Sequence, residues 1–184
     1  MQGTRPTLII VSGPPGSGKS TLARQLSQHL GLPHCARDTI KQGQIWHDTS
    51  PIDTPQDANL ACNQAFCDIV SRHLQHGVSH VCDAAFQHHV WQPFLATWHT
   101  QAHIKVIICH IDEPLRLQRL HQRLAAEPQR SAAHADAAYL HNISQHSPFQ
   151  VLTTAYPTLV VDTQTPTYAP AIDAITTWVR LPIQ

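Results

Sequence analysis

"TLIIVSGPPGSGKSTLARQL", residues 7–26, is the stretch that decides the architecture. It opens on "TLIIVS" (7–12), a short and continuously apolar run that reads as a strand covered on both faces. It closes on "KSTLARQLSQHLG", with Leu22, Leu26 and Leu30 at helical spacing and Gly31 placed to stop the helix. Between them, Gly13, Gly16 and Gly18 account for three of the seven glycines in the chain. A sequence that spends so little glycine concentrates it at one strand-to-helix turn.

The turn "GPPGSGKS" (13–20) matches G-x-x-x-x-G-K-[ST], the phosphate-cradling P-loop. Such a loop must bend tightly and present successive backbone N–H groups to phosphate oxygens, so side chains are absent where the approach is closest. The helix that follows begins at the phosphates with its positive end toward them. Gly13, Pro14, Pro15, Gly16, Ser17, Gly18, Lys19, Ser20 and Thr21 are therefore expected to bind a nucleotide. Lys19 reaches the outer phosphates, the Ser20 hydroxyl ligates Mg²⁺, and Thr21 bonds an inner phosphate. A glycine-rich turn followed by a chance Lys-Ser would explain neither the buried strand before it nor the amphipathic helix after it.

Working outward, strands and helices alternate to the end of the chain. "PHCAR" (33–37) reads as a short second strand, "VSHVCDAAF" (78–86) as a third, "IKVIICHI" (104–111) as a fourth and "TLVVD" (158–162) as a fifth. Helices are expected at "TIKQGQIW" with Asp38 as its cap, at 56–77, around Pro93 in "HHVWQPFLATWHTQA", at 114–127 and at 168–180. That alternation gives an α/β fold, a parallel sheet with right-handed crossovers and helices on both faces. The 184 residues make one domain, with 42% hydrophobic and 13% charged residues. Twelve basic residues balance twelve acidic ones, so no basic excess points to nucleic acid or an anionic membrane. The five cysteines include no C-x-x-C pair and suit a reducing cytoplasm. The opening "MQGTRPTLIIVSG" is expected to be neither a signal peptide nor a membrane span. Fifteen histidines make solubility pH-dependent, and their scatter offers no zinc spacing.

Several classes of P-loop protein can be weighed. The guanine-reading N-K-x-D is absent. "VIICHIDE" (106–113) offers Asp112 and Glu113 as the metal partner and water activator of an ATP hydrolase, although His110 interrupts the apolar run. In a small phosphotransferase, the metal-side acid ends an earlier strand, and Asp83 in "VSHVCDAAF" stands there, with a turn or helix cap as its plainer role. Arg116, Arg119 and Arg123 then share one helix face, and Arg130 follows in a polar stretch. Phosphoryl transfer needs positive charge delivered as water is excluded, which an arginine face leading into a mobile segment supplies; a solvated basic face is the bland reading.

On "GPPGSGKST", "ARDTIKQG", "VCDAAF", the R-x-x-R-x-x-x-R of residues 116–123 and "PTLVVDT", the chain resembles the small P-loop kinases of the zeta-toxin, chloramphenicol-phosphotransferase and polynucleotide-kinase-like group, often described only as AAA-domain ATP-binding proteins. The resemblance covers nearly the whole chain. It implies a three-layer fold like that of the nucleoside monophosphate kinases, with a five-stranded parallel sheet in the order 2-3-1-4-5 and a small lid at about residues 127–147. It implies Asp38 as the carboxylate facing the acceptor hydroxyl, Arg37 beside it for an anionic group, Arg119 and Arg123 as lid arginines with Arg130 a further candidate, and "TLVVDTQTP" as the border of the adenine, shaped by Asp162. His134 and Asp136 would lie in the lid.

The function expected is transfer of the γ-phosphate of Mg·ATP to a hydroxyl of a small molecule. Lys19, Asp38, Arg119 and Arg123 would be catalytic, and Ser20 and Asp83 would hold the metal. The partner expected is the small-molecule acceptor: nucleic acid is disfavoured by the neutral charge, no membrane segment is seen, and the sequence leaves the oligomeric state open. The alternatives are an ATP hydrolase or ATP-gated regulator using Asp112 and Glu113, a 5′-hydroxyl nucleic-acid kinase, and a non-catalytic nucleotide-binding module.

Overall fold

The computed structural model describes residues 5–47, 55–126, 140–141 and 148–183. Along the chain run β1 (Thr7–Ser12), α1 (Lys19–Leu30), β2 (His34–Ala36), α2 (Arg37–His47), α3 (Pro55–Gln75), β3 (His80–Ala84), α4 (His88–Trp98), β4 (His103–His110), α5 (Glu113–Ala126), β5 (Thr158–Asp162) and α6 (Ile172–Arg180). The strands form one sheet in the order β2-β3-β1-β4-β5, and every pairing is parallel. This is the order and the α/β class expected from the sequence.

The apolar strands have no polar alternation because helices cover both faces of the sheet. Leu8, Ile10, Cys82, Ala84, Val106 and Ile108 point to one face, where they meet Phe66 and Val70 of α3 and Trp91 and Trp98 of α4. Ile9, Val11, Val81, Ile107 and Cys109 point to the other, where they meet Leu22 and Leu26 of α1 and Ile175 and Val179 of α6. Leu8 through Val11 are wholly buried, and each such side chain contributes about 1.5–3 kcal/mol of transfer free energy. The aromatics of the first face meet edge-on, Phe66 against Phe86 at 5.7 Å and Phe86 against Trp91 at 5.0 Å between ring centres. The Trp91 indole N–H, buried with them, donates to Ser12 Oγ at 3.0 Å. At the other end of the sheet, the buried Lys105 ammonium donates to the carbonyls of Trp178, Val179 and Leu181 and so closes the C-terminus of α6.

The strand expected at 78–86 is shorter, His80–Ala84, the helix expected at 56–77 runs Pro55–Gln75, and three further boundaries differ from expectation. Arg37 is the first residue of α2 rather than the last of β2, so Asp38 lies inside the first turn instead of capping it. Helix α4 runs through Pro93 and ends at Trp98. Helix α6 begins at Ile172, four residues late, because Tyr168 has positive φ and Ala169 pairs with Asp162. Of the lid expected at about 127–147, only Leu140 and His141 are among the described residues; Arg130, His134 and Asp136 lie outside them.

Candidate active site

The site lies at the carboxyl ends of the strands. The register aligns Val11 with Asp83 and Ser12 with Ala84, so the loop leaving β1 starts beside the acid ending β3. Ala36 of β2 lies opposite Asp83 on its other side, which brings the start of α2, with Arg37 and Asp38, to the same edge.

The P-loop is held in shape by its surroundings. Ser17 N–H donates to Pro14 O at 3.1 Å. Gly16 has φ +84, and a Cβ there would sit 2.9 Å from Arg116 O and from Leu120 Cγ, so only glycine fits between the loop and α5. Gly13 is pressed between Ser17 Oγ and Cys109. Arg116 Nη1 donates to Pro15 O at 3.0 Å, bracing the outer curve of the loop. Gly18 is the N-cap of α1 and brings no side chain to its first-turn N–H groups, which leaves them directed at whatever occupies the loop.

In front of the loop lies a cavity of about 310 Å³ lined by Gly16, Gly18, Lys19, Ser20, Thr21, Arg119, Arg123, Thr163, Thr165, Pro166 and Tyr168. A helix N-terminus, one lysine and two arginines in its lining fit a nucleotide polyphosphate; the threonine hydroxyls and the Tyr168 ring line the same cavity. The loop after β5 is built tightly. Thr163 Oγ1 donates within reach of both Ser17 O (2.7 Å) and His110 O (2.9 Å). Arg119 Nη2 donates to Thr163 O and Gln164 O, each at 2.9 Å. Asp162 accepts from the Gln164 backbone N–H and side-chain amide, and those bonds hold its carboxyl below the usual range. Asp162 thus shapes the loop, as its place in "TLVVDTQTP" suggested. Burial raises the Tyr168 phenol and pushes the Cys109 thiol beneath the P-loop up to about 12.

On the metal side, Ser20 Oγ–H donates to Asp83 Oδ2 at 2.6 Å, and Asp83 is only 1% exposed. Because the serine gives its proton to the carboxylate, its oxygen lone pairs remain for a cation. A hydroxyl and a buried carboxylate beside the phosphate end of the cavity form a donor set of hard oxygens, which fits Mg²⁺. Asp83 Oδ1 meets His34 Nε2 at 2.7 Å, a partner the sequence reading left among scattered histidines.

At the start of α2, Arg37 Nε donates to Asn63 Oδ1 at 2.9 Å and its Nη2 to Asn59 Oδ1 at 3.1 Å. Its guanidinium lies 5.6 Å from the centre of the Phe86 ring, and Nη1 is 3.7 Å from Asp38. Lys41 Nζ shares Asn59 Oδ1 at 3.1 Å. Sequence reasoning missed Asn59 and Asn63: an exposed asparagine in a long helix carries no signal until α3 is seen to pack on α2.

The arginine face of α5 divides by depth. Arg116, 5% exposed, pairs with Glu113 at 2.6 Å and holds the P-loop backbone. Arg119 and Arg123 line the cavity. Neither Asp112 nor Glu113 is among the residues lining it, and the Arg116 hydrogen bond lowers the Glu113 carboxyl. Among the described residues no three His, Cys, Asp or Glu gather as a metal cluster.

Comparison with known proteins agrees with this geometry. Curated relatives, an adenylate kinase and two cytidylate kinases, match at 40–62% identity over 26–52 residues, and the chain spans only 15–24% of their length. A presumed kinase from Chloroflexus aurantiacus has a solved structure that superposes with a TM-score of 0.81 at 24% identity, covering 98% of this chain and 100% of that one. A sugar kinase from Janibacter superposes at 0.62 with 17% identity, covering 96% and 95%. A chain of the Pnkp1/Rnl/Hen1 RNA repair complex superposes at 0.56 with 22% identity, covering 84% of this chain and 51% of that one. The fold is that of P-loop kinases. A family model described as an AAA domain matches residues 8–146, well over half of the sequence, and the chain belongs to that AAA domain family.

Proposed function

We propose that the protein is a kinase that moves the γ-phosphoryl group of Mg·ATP to a hydroxyl of a small molecule. The observation that carries the reading is the buried Ser20–Asp83 hydrogen bond beside the P-loop, with Asp38 entering the same edge from the neighbouring strand. When bound, Mg²⁺ would supply positive charge that offsets the charge of the phosphates. Ser20 and Asp83 would hold it; Lys19 and the α1 N-terminus would take the outer phosphates; Tyr168, Pro166 and the loop after β5 would border the base. Asp38 would accept the proton of the attacking hydroxyl, which must arrive in line. Arg119 and Arg123 would place charge on the transferring group. The bonds of Arg37 to Asn59, Asn63 and Phe86 would fix the helix that carries Asp38.

The composition suits a small acceptor, since the neutral chain offers no electrostatic footprint for a nucleic-acid backbone. Among the described residues no helix is long and apolar enough to cross a membrane. The five free cysteines, four of them buried, suit a reducing cytoplasm.

The test is ADP release from Mg·ATP across pools of nucleosides, sugars, amino acids, aminoglycosides and short oligonucleotides. Wild type and Asp38→Ala run side by side. A pool that raises release in wild type alone supports the kinase and narrows the acceptor. Release that is acceptor-independent, unchanged by Asp38→Ala and stopped by Glu113→Gln would replace the kinase with a hydrolase. A response to oligonucleotides that weakens steeply with salt would replace the small acceptor with a nucleic-acid end.

A further inference from the structure

The Asp83 carboxylate has two oxygens, in a position 1% open to solvent, and each has one side-chain partner: Oδ2 takes the Ser20 hydroxyl at 2.6 Å, and Oδ1 takes His34 Nε2 at 2.7 Å. The sheet makes this second bond possible. His34 is paired with Val81 and Ala36 with Asp83, so the imidazole leans two residues forward along its strand to reach the acid on the next. The carboxylate offers Nε2 only lone pairs, so that nitrogen carries the proton and donates.

A carboxylate turns about its terminal torsion with little intrinsic preference. Ser20 alone constrains one oxygen and leaves the plane of the group to swing. A second donor on the opposite oxygen fixes the plane, and it fixes it from the side away from the P-loop. Without that donor, Oδ1 would be a buried acceptor with no side-chain partner, an unfavourable state that is relieved by rotating away. Rotation would carry Oδ2 off the Ser20 hydroxyl and off the place where a cation's shell must meet it.

We propose that His34 is a positioning residue for the metal side of the nucleotide site: its Nε2–H locks Asp83 so that the carboxylate keeps one oxygen on Ser20 and on the coordination shell of a divalent cation. The inference rests on the Mg·nucleotide part of the proposed function and is independent of the phosphate acceptor. His34 itself touches neither metal nor substrate; it acts through Asp83, as groups behind metal-side ligands do.

The probe is Mn²⁺ bound with ADP to the full chain, with unbound Mn²⁺ counted by electron paramagnetic resonance, in wild type, His34→Ala and His34→Gln. Calorimetry with ADP in EDTA reports metal-free nucleotide binding. Loss of the donor should weaken Mn²⁺ in the ternary complex by about tenfold or more, while His34→Gln, which keeps an N–H donor, stays within about threefold. Metal-free ADP affinity should move by less than about twofold. If His34→Ala fails to fold, His34→Leu, similar in volume and without a donor, takes its place under the same thresholds. Three results would overturn the assignment: Mn²⁺ affinity unchanged without the donor, His34→Gln as weak as the donorless variant, or metal-free ADP binding falling in parallel, which would mark a merely structural role. No acceptor enters this assay, so a missing acceptor sinks the kinase reading alone. A wild type that binds no Mn²⁺ with ADP sinks both.

Discussion

The two sides of the site are built by different means. Around Asp83, strand register does the placing: Val11, Asp83 and Ala36 lie abreast in three adjacent strands, and the Asp83 carboxylate is buried between them. Around Asp38, helices α2 and α3 do it through side chains, an arginine and a lysine sharing the amides of Asn59 and Asn63 beside an Asp38 side chain that is 20% exposed. A sheet edge can shift only if several strands shift with it. Two helices joined by a few polar bonds can separate or repack around a new ligand. The P-loop and Asp83 thus sit in the rigid part of the molecule, and Arg37 and Asp38 in the adaptable part.

The comparison can be broken most forcefully at Asp83. Asp83→Asn should lower metal-dependent turnover by about 10²–10³-fold, with the loss seen as a raised Mg²⁺ requirement in a titration at fixed ATP. Next comes Asp38→Ala, which should cost about 10²-fold in kcat while Mg·ATP binding by calorimetry holds steady. If both variants lost nucleotide binding equally, the division into two sides would be wrong.

The third prediction concerns the base of the same strand. His80 is wholly buried against His73, and desolvation holds its pKa down to about 4. A histidine whose folded pKa lies below the unfolded value near 6.5 stays neutral in the folded chain while the unfolded chain takes up a proton. Its stabilising effect is complete above pH 6.5 and is lost progressively as pH falls toward 4, by about 3 kcal/mol in all. Urea midpoints of wild type and His80→Leu between pH 4 and 7 should show a shallower slope for the variant. Smaller still, Trp91→Phe should cost about 1–3 kcal/mol by stranding Ser12 Oγ beneath the P-loop and leaving unfilled volume, read as a lower Tm. Glu113→Gln should be the mildest, with less than about a twofold change in turnover, because a half-screened partner on an exposed helix end is worth little.

Much of the sheet around Asp83 was legible in the sequence. A continuous apolar run ended by Gly13 fixes β1 and the loop to the residue, and short apolar runs likewise mark β5 and the strand that carries Asp83. What was hidden depends on depth and neighbours. His34 sits in a three-residue strand, too short for any period to show which way its ring points. Arg116, Arg119 and Arg123 share a helix face, yet only packing against the loop tells the brace from the two that line the cavity. The start of α2 was misplaced by two residues, at Thr39 instead of Arg37, because arginine is as good in a first turn as at a strand end.

Thr163 has a consequence that reaches beyond the loop it belongs to. One hydroxyl touches the backbone of the P-loop at Ser17 and of β4 at His110, so the loop after β5 and the P-loop are pinned to a common point. The molecule thereby carries a built-in gauge: the spacing between these two walls of the cavity is set before any ligand arrives, and a ligand is measured against it by length as well as by charge.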